Sequence, residues 1–165
     1  SSQTHSYPML RSALTALVSA LPAPVVEAHC DGPCGVYDPA SARVAAEAVL
    51  SMTKKLKGLE APAAGDAAAL AAFNNTFGRY VAIKEEEAQK TKKELLILWT
   101  DYFKPDHLAT FPDLHDTFWK AAKLCSACKV NIDQAKAEEL MAAVEKIHGM
   151  FWQSKGRSDA WVTAS

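Results

Sequence analysis

The sequence predicts an all-α protein, an antiparallel four-helix bundle, from three observations. Alanine, the strongest helix former, supplies 30 of the 165 residues, whereas glycine supplies only 7. Apolar residues recur at spacings of three and four along four separate segments, which is typical of amphipathic helices. No segment alternates apolar and polar residues convincingly, as a half-buried strand would. Four helices joined by short turns are expected to pack as an antiparallel bundle.

The first predicted helix begins at Asp38-Pro39 and ends near Gly58. Asp38 suits the N-cap, and Pro39 suits the first helical position, where a missing N–H removes no hydrogen bond. The buried stripe is expected to consist of residues spaced four and three apart: Val44, Ala48, Met52, Leu56 and Leu59.

The second predicted helix begins at Asp66 and ends at Lys104-Pro105, because proline excludes the residue before it from the helical conformation. Its apolar face has two parts, which flank a charged section at residues 85–93: Leu70, Phe73, Phe77 and Tyr80, then Leu95, Trp99 and Tyr102. A helix of about 40 residues is long for a globular domain, so a break within the charged section is the alternative.

The last two helices complete the predicted bundle. The third runs from about Pro112, and its inner face consists of Leu114, Phe118, Ala122 and Cys125. The fourth begins at Asn131 or Asp133, and its inner face consists of Leu140, Val144, Ile147 and Phe151. The chain therefore divides into a leader (1–28), an irregular loop (29–38), the bundle (39–156) and a tail (157–165).

The balance of charges limits the class of partner. The 18 lysine and arginine residues and the 19 aspartate and glutamate residues leave a formal net charge of −1. A dedicated nucleic-acid or anionic-membrane binder would show a basic excess, so no nucleic-acid partner is expected. No apolar stretch reaches the length of about 18 residues that an ordinary membrane-spanning helix needs.

The first 28 residues have the pattern of a targeting segment. Arg11 precedes an apolar run at residues 13–21, and a small-x-small sequence ends at Ala28. This pattern is typical of an export or thylakoid-transfer signal that is cut after Ala28, and it favours the thylakoid lumen of a plastid. The alternative is a short amphipathic helix that stays attached as a docking segment.

Two thiols follow the leader in a loop dense in glycine and proline, where His29 directly precedes Cys30 and Cys34 lies four residues on. Paired thiolates suit zinc, copper(I), iron–sulfur clusters or nickel, and a structural disulfide is the alternative. If the chain begins at His29, its amine, the Cys30 amide nitrogen and the two thiolates can form a square plane, with the imidazole axial. Such a donor set favours nickel(II) or copper(II) over tetrahedral zinc.

The loop resembles the nickel hook of nickel superoxide dismutases, H-C-D-x-P-C-G-x-Y-D-P, and every fixed position is matched by His29-Cys30-Asp31-Gly32-Pro33-Cys34-Gly35-Val36-Tyr37-Asp38-Pro39. A second family segment, L-W-[ST]-D-Y-F-K-P, is matched by Leu98-Trp99-Thr100-Asp101-Tyr102-Phe103-Lys104-Pro105, and Phe151-Trp152 is a third likeness. The resemblance covers about residues 28–155. It implies a four-helix bundle that assembles as a homohexamer and uses a nickel ion to convert superoxide to dioxygen and hydrogen peroxide.

The resemblance also implies the metal ligands. His29 would supply the terminal amine and an axial imidazole. Cys30 would supply its amide nitrogen and thiolate, and Cys34 would supply the second thiolate.

Four further site residues are implied by the same resemblance. Tyr37 would stand over the open axial face and restrict access to small anions, and Asp31 would help to shape the pocket. Tyr102 and Lys104 would approach from the bundle, where the charge of Lys104 would attract superoxide.

The sequence departs from the family where the axial imidazole is held. The glutamate of the first helix and the arginine of the second are replaced by Ala45 and Glu87. Glu47 is a candidate substitute on a different side of the helix. Because the partners of a metal-bound histidine tune the metal, these departures affect the redox potential rather than the hook.

The remaining cysteines and histidines are expected to be structural. Cys125 and Cys128 lie on the apolar face of the third helix, where a thiol packs as a small hydrophobe. A zinc site that joins the two cysteine pairs is the less favoured alternative. Three isolated histidines are expected to be surface or core residues rather than ligands: His107, His115 and His148.

Two functions remain at this point. The first is a nickel-dependent superoxide dismutase, provided that the chain is cleaved before His29. The alternative is a non-catalytic relative that keeps its leader as a structural subunit of a larger assembly, such as a photosynthetic membrane complex. The bond between Ala28 and His29 discriminates between them, because an intact bond leaves an amide where the metal needs an amine.

Overall fold

Residues 35–164 are described by a computed structural model, in which four α-helices surround one apolar core. The helices are α1 (Ala40–Lys57), α2 (Ala67–Ile97), α3 (Leu114–Val130) and α4 (Gln134–Ser154). Helices α1 and α3 each pack on both α2 and α4, so the four close into a ring. This part of the chain contains no strand, and the predicted helical bundle is confirmed. The leader and the first six residues of the loop lie outside the described residues.

Helix α1 begins almost where the sequence predicts, but it buries a different face. The Asp38 carboxylate accepts a hydrogen bond from the backbone N–H of Ala40 at 2.7 Å, and Pro39 occupies the N-cap. Val44, predicted to be buried, is 51% exposed. The buried face instead consists mostly of small residues: Ala42, Ala45, Ala46, Val49, Thr53 and Leu56. Small side chains let neighbouring helices approach closely. The close packing along the whole face stabilises the bundle more than burial of Val44 alone would.

Helix α2 is unbroken through the charged section, so the alternative of a break there is wrong. The Asp66 carboxylate caps it by accepting from the N–H of Ala69 at 2.9 Å. After Ile97 the helix widens into a π turn, Leu98–Tyr102, which is closed by a hydrogen bond of 3.1 Å from the N–H of Phe103 to the carbonyl of Leu98. A π turn holds one residue more than an α-helical turn, and such turns occur frequently at functional sites.

The amino-terminal part of α2 presents apolar side chains that remain exposed in the described part of the chain. Leu70 is 49% exposed and Phe77 is 36% exposed, although both were predicted to lie on an apolar face. Phe73 and Phe77 stack on each other, with ring centroids 6.0 Å apart. None of the described helices is long and apolar enough to cross a membrane.

Helices α3 and α4 follow the predicted pattern closely. Helix α3 begins at Leu114, and Phe118 and Cys125 are buried as predicted. Asp133 is the N-cap of α4, and its carboxylate accepts from the N–H of Lys136 at 3.2 Å. The four predicted inner residues of α4 have no exposed surface: Leu140, Val144, Ile147 and Phe151.

The predicted tail packs on the bundle as a strap, defined here as residues 157–164. Gly156 has a φ of 66°, a left-handed conformation that glycine adopts without strain and that reverses the chain after α4. The Trp161 ring then meets His148 of α4 edge to face, with centroids 5.4 Å apart. Near the end of the strap, the N–H of Ala164 donates to a carboxylate oxygen of Glu47 on α1 at 2.7 Å. The strap therefore links the last helix to the first.

Candidate functional site

The predicted metal ligands lie just before the described part of the chain. His29, Cys30 and Cys34 are outside it, as is Asp31, and the description begins at Gly35. Within residues 35–164 no group of three or more histidine, cysteine, aspartate or glutamate residues could hold a metal ion.

The donor set of residues 29–34 fits nickel chemically. Cys30 and Cys34 offer two soft thiolates, and His29 offers an imidazole together with a backbone nitrogen. Nitrogen and sulfur donors of this kind suit nickel(II) in a square-planar or tetragonal arrangement. These residues are the ones that would hold the metal.

The other two cysteines are held as neutral thiols in the core. Cys125 is 0% exposed and Cys128 is 1% exposed, and both are free thiols. Burial raises the pKa of Cys125 to about 12 and that of Cys128 to about 11. Both thiols are therefore protonated at neutral pH and pack as small apolar side chains. The prediction that they are core residues is confirmed.

Two of the predicted site residues, Tyr37 and Tyr102, meet at one end of the bundle. Their ring centroids are 5.4 Å apart at an interplanar angle of 54°. Tyr37 is the third of the described residues, and Tyr102 is the last residue of the π turn. The Tyr102 ring also packs on Phe151 of α4, with centroids 4.6 Å apart. The contact joins the end of the hook motif to the second family segment.

The hydroxyl of Tyr102 has a defined hydrogen-bond direction. Its oxygen lies 2.6 Å from Oγ of Ser154, and that Oγ donates to the backbone carbonyl of Phe151, also at 2.6 Å. A serine hydroxyl has a single hydrogen, and a carbonyl can only accept. Tyr102 is therefore the donor to Ser154. Sequence reasoning missed Ser154, which is 52 residues away and belongs to no motif.

His107 was expected to be isolated, but it lies against the predicted site. Its ring stacks on that of Tyr102, with centroids 5.8 Å apart and an interplanar angle of 14°. Its Nδ1 accepts a hydrogen bond of 2.9 Å from the backbone N–H of Lys104. That bond assigns the hydrogen of the neutral ring to Nε2. The sequence does contain a signal for this contact. His107 lies three residues after Lys104, with Pro105 between them, and that spacing suits a capped turn.

Lys104 and Lys155 are exposed lysines that adjoin Tyr102, the first along the chain and the second through its ammonium. Lys104, which was predicted, lies between the π turn and a short 3-10 helix at Pro105–Ala109. Lys155 was not predicted. Its Nζ lies 5.1 Å from the ring centroid of Tyr102 and 5.3 Å from that of Phe151. Both distances fall within the range of cation–π contacts.

The two positions where the sequence departs from the family, Ala45 and Glu87, and the candidate substitute Glu47 have different surroundings. Ala45 is fully buried in the core. The Glu47 carboxylate, 8% exposed as a residue, contacts Arg43 at 3.4 Å and the N–H of Ala164 at 2.7 Å. Glu87 is half-buried, and its backbone carbonyl accepts from Thr91. That Glu47 substitutes for the family's glutamate stays a prediction, and the two partners described here belong to α1 and the strap.

Comparisons with known proteins identify the same family that the motifs resemble. The family of nickel-containing superoxide dismutases matches residues 24–155. The nickel superoxide dismutase of Streptomyces seoulensis is 39% identical over 130 residues, which cover 79% of this chain and 90% of that protein. The nickel superoxide dismutase of Streptomyces coelicolor is 37% identical over 134 residues, which cover 81% of this chain and 93% of that protein.

Solved structures agree with the sequence relatives. Native nickel superoxide dismutase matches with a TM-score of 0.65 and 37% identity, covering 77% of this chain and 99% of that chain. A nickel-containing superoxide dismutase whose nickel ligation corresponds to the oxidised state matches with a TM-score of 0.64 and 38% identity, covering 78% and 99%. This chain therefore belongs to the nickel-containing superoxide dismutase family.

Proposed function

We propose that this chain is a superoxide dismutase that converts superoxide to dioxygen and hydrogen peroxide at a nickel ion held by His29, Cys30 and Cys34. The observation that carries the proposal is the contact between Tyr37 and Tyr102, with ring centroids 5.4 Å apart. It brings the end of the hook motif and the second family segment to one place. A chance likeness of two short motifs would not require them to meet in the fold.

The bound metal would supply one-electron redox chemistry, so that one superoxide ion loses an electron to become dioxygen while a second gains an electron and two protons to become hydrogen peroxide. The residues of the chain provide the surroundings of that exchange. Tyr37 and Tyr102 form an aromatic wall that limits access to small molecules, and Asp31 helps to shape the pocket. Lys104 adds positive charge, which attracts an anionic substrate.

The proposed enzyme begins at His29. Cleavage after Ala28 releases the amine that the ligand set requires, and residues 1–28 carry the pattern of a removable signal. The relatives named above are themselves dismutases, and none supports a non-catalytic structural subunit. We place the mature protein outside the cytoplasm or in an organelle, with the thylakoid lumen favoured by the leader.

The proposed assembly is a homohexamer rather than a subunit of a larger membrane complex. In support, α2 exposes Leu70, Phe77 and Ile83, and exposed apolar side chains of one helix favour association with another chain. Native mass spectrometry of the mature protein tests the assembly, and a monomer at micromolar concentration would contradict it.

The function is tested by the nickel content and dismutase activity of protein that begins at His29. We expect Cys34→Ser to lower activity by more than about 100-fold, because a hydroxyl is a poor substitute for a soft thiolate ligand. The matched control is Cys128→Ala, which removes a thiol that burial keeps protonated, and it should retain nickel and activity. Unchanged activity of the Cys34 variant would exclude the proposed site.

Cleavage is tested separately by N-terminal sequencing of active protein from the natural source. A terminus at His29 is expected. Active material that begins at Ser1 would contradict the proposed ligand set, since its His29 nitrogen would be an amide.

A further inference from the structure

Aromatic rings contact one another in an unbroken line from the end of the hook motif to the strap. Tyr102 lies in the first part, with its ring centroid 5.4 Å from that of Tyr37 and 4.6 Å from that of Phe151. Beyond Phe151 each ring meets the next edge to face: Trp152 at 4.9 Å, then His148 at 6.2 Å and Trp161 at 5.4 Å. All of these distances lie within the range of about 4.5–7 Å that is typical of aromatic pairs. These six residues are called the aromatic line.

Two neighbouring rings of the aromatic line contain buried nitrogens that make no hydrogen bond. Within residues 35–164, Nε1 of Trp152 and Nδ1 of His148 are buried side-chain atoms without a partner. Nε2 of His148 lies 3.1 Å from the backbone carbonyl oxygen of Asp159, and because a carbonyl only accepts, Nε2 holds the hydrogen of the neutral ring. Nδ1 therefore has a free lone pair, whereas the indole Nε1 has a hydrogen. Such groups cost stability and are rare in native structures, so a complementary pair on contacting rings calls for an explanation.

This pair suits Trp152 to one-electron oxidation. When an indole loses an electron, its Nε1–H becomes strongly acidic, and the proton leaves readily if an acceptor is near. The guanidinium carbon of Arg157 lies 4.5 Å from the ring centroid of Trp152, and its positive charge disfavours a second positive charge on that ring. Loss of the proton together with the electron leaves the ring neutral. The acceptor on the contacting ring is Nδ1 of His148.

Tyr102 has no comparable acceptor. Its hydroxyl donates to Oγ of Ser154, whose own hydrogen is bonded to the backbone carbonyl of Phe151. A backbone carbonyl accepts a hydrogen bond but does not take up a proton at neutral pH, so Ser154 cannot pass the proton on. An electron vacancy that reaches Tyr102 is therefore expected to move through the contacting ring of Phe151 to Trp152.

We propose that the aromatic line carries oxidising equivalents away from the hook to Trp161, so that oxidation falls on the strap rather than on the thiolate ligands. Trp161 is only partly buried and lies beyond residues 24–155, the part of the chain that the family matches. The inference rests on the proposed function, which forms hydrogen peroxide beside a redox metal. The oxidant is the hydroxyl radical, formed when peroxide takes one electron from the metal ion and splits off hydroxide.

The transfer balances in electrons and protons. The hydroxyl radical takes one electron from the aromatic line and one proton from water, and it becomes water. Trp152 supplies the electron and passes its Nε1 proton to Nδ1 of His148. Trp161 then returns an electron to Trp152, which recovers its proton from His148. The Nε1 proton of Trp161 leaves to solvent, so the net result is one molecule of water and a neutral radical at Trp161.

The test exposes nickel-loaded protein that begins at His29 to hydrogen peroxide and a nitroso spin trap, and peptide mass spectrometry then locates the trapped radical. In the wild type, Trp161 is expected to hold most of the trap. Trp152→Phe should lose the Trp161 adduct, and its hook cysteines should reach the sulfinic and sulfonic acids faster. His148→Gln should do the same, because its amide can still donate to the Asp159 carbonyl but has no basic nitrogen. This second variant keeps the Trp152 ring, so it tests the proposal even if the first is unstable.

The matched control is Trp119 on α3, which is 55% exposed and does not belong to the aromatic line. A radical that diffuses through the solvent attacks tryptophans according to their exposure, so it would label Trp119 at least as much as Trp161. Trp119→Phe should leave both the Trp161 adduct and the rate of cysteine oxidation unchanged. Metal-free protein treated with the same peroxide should show no adduct at Trp161.

The outcomes separate this proposal from the proposed function. Wild-type protein without nickel-dependent dismutase activity would overturn both. An active wild type that is trapped more at Trp119 than at Trp161 would overturn only the transfer along the aromatic line. An adduct at Trp161 that survives in both the Trp152 and the His148 variants would also overturn it, because the oxidation would then reach the strap by another route.

Discussion

Two regions of the molecule each contain a lysine, but the two lysines have different surroundings. The seam is the contact between α2 and α3 at Lys84, Cys128 and Lys129. The aromatic end is the cluster of rings around Tyr102 that Lys155 adjoins. In the seam, Lys84 is 2% exposed, and its ammonium donates to the backbone carbonyls of Cys128 at 2.5 Å and of Lys129 at 2.8 Å. Burial lowers the pKa of Lys84. At the aromatic end, Lys155 is exposed, and among residues 35–164 its ammonium lies against the rings of Tyr102 and Phe151.

The difference shows which of the two cations is accessible to solvent. The ammonium of Lys84 satisfies carbonyls at the end of α3 that no helical N–H reaches, so its hydrogen-bonding capacity serves the fold. The ammonium of Lys155 keeps its hydrogens available to water and to anions. Lys84 therefore has a structural role, whereas Lys155 stays accessible to solvent beside Tyr102.

The largest effect should come from removing the lysine of the seam. Lys84→Met leaves the carbonyls of Cys128 and Lys129 without their donor, and we expect the free energy of unfolding in urea to fall by about 2–3 kcal/mol. Lys129→Met is the control, because the Nζ of this partly exposed lysine contacts side chains of the described residues, Gln89 at 3.1 Å and Glu85 at 3.7 Å, rather than buried carbonyls. It should cost about 0.5 kcal/mol or less. Equal losses in the two variants would show that the buried hydrogen bonds of Lys84 contribute no more to stability than the contacts of a partly exposed lysine.

A smaller effect should appear as a pH dependence of stability that is specific to the seam. The pKa values of Cys125 and Cys128 are raised above the ordinary value of 9.0 to about 12 and about 11. The folded protein therefore keeps protons that the unfolded chain releases above pH 9. Stability should be lost as the pH rises from 9, by about 1 kcal/mol per thiol between pH 9 and 10.

The double variant Cys125→Ala/Cys128→Ala isolates this contribution. Lys84 acts in the opposite direction, because its lowered pKa favours the folded state as the pH rises toward 10.5, and it is present in both proteins. The difference in unfolding free energy between wild type and double variant should narrow from pH 9 to pH 10. A constant difference over that range would show that the thiols are not the proton-holding groups.

The smallest of the three effects should come from the strap, which begins next to the aromatic end. Trp161→Ala removes the ring that packs on His148, and we expect a loss of about 1 kcal/mol with dismutase activity retained. Trp119→Ala is the control, because Trp119 is 55% exposed and its ring is contacted by Lys123 alone among the described ring contacts. Loss of activity in the Trp161 variant would mean that the strap, too, supports the site.

The sequence predicted the fold well where bulky residues or capping residues carried the pattern. Asp66 and Asp133 cap α2 and α4 through their carboxylates, as expected from their positions before an apolar period. In α1 the spacing of apolar residues was misleading. Alanines lie on every side of this helix, so the face that is buried depends on which neighbouring helix packs against it. Val44 was placed inside although the closely packed face consists of Ala42 and its neighbours.

The site was predictable only as far as the motifs extended. Tyr37, Tyr102 and Lys104 followed from family resemblance, and the structure brings the two tyrosines together. Ser154 and Lys155 could not be identified, because their relation to Tyr102 arises from tertiary packing between segments about 50 residues apart. Neither the helical period nor ligand spacing contains that information.

The π turn has a consequence for how this region can change. Leu98–Tyr102 carries one residue more than an α-helical turn, so Tyr102 at its end faces a different side of the helix axis than it would in an uninterrupted α-helix. Deleting one residue there would shift the phase back and turn the Tyr102 ring away from Phe151, while Ala67–Ile97 kept its place in the bundle. The number of residues between the charged section and Tyr102 therefore determines the direction in which the Tyr102 ring points as well as its distance along α2.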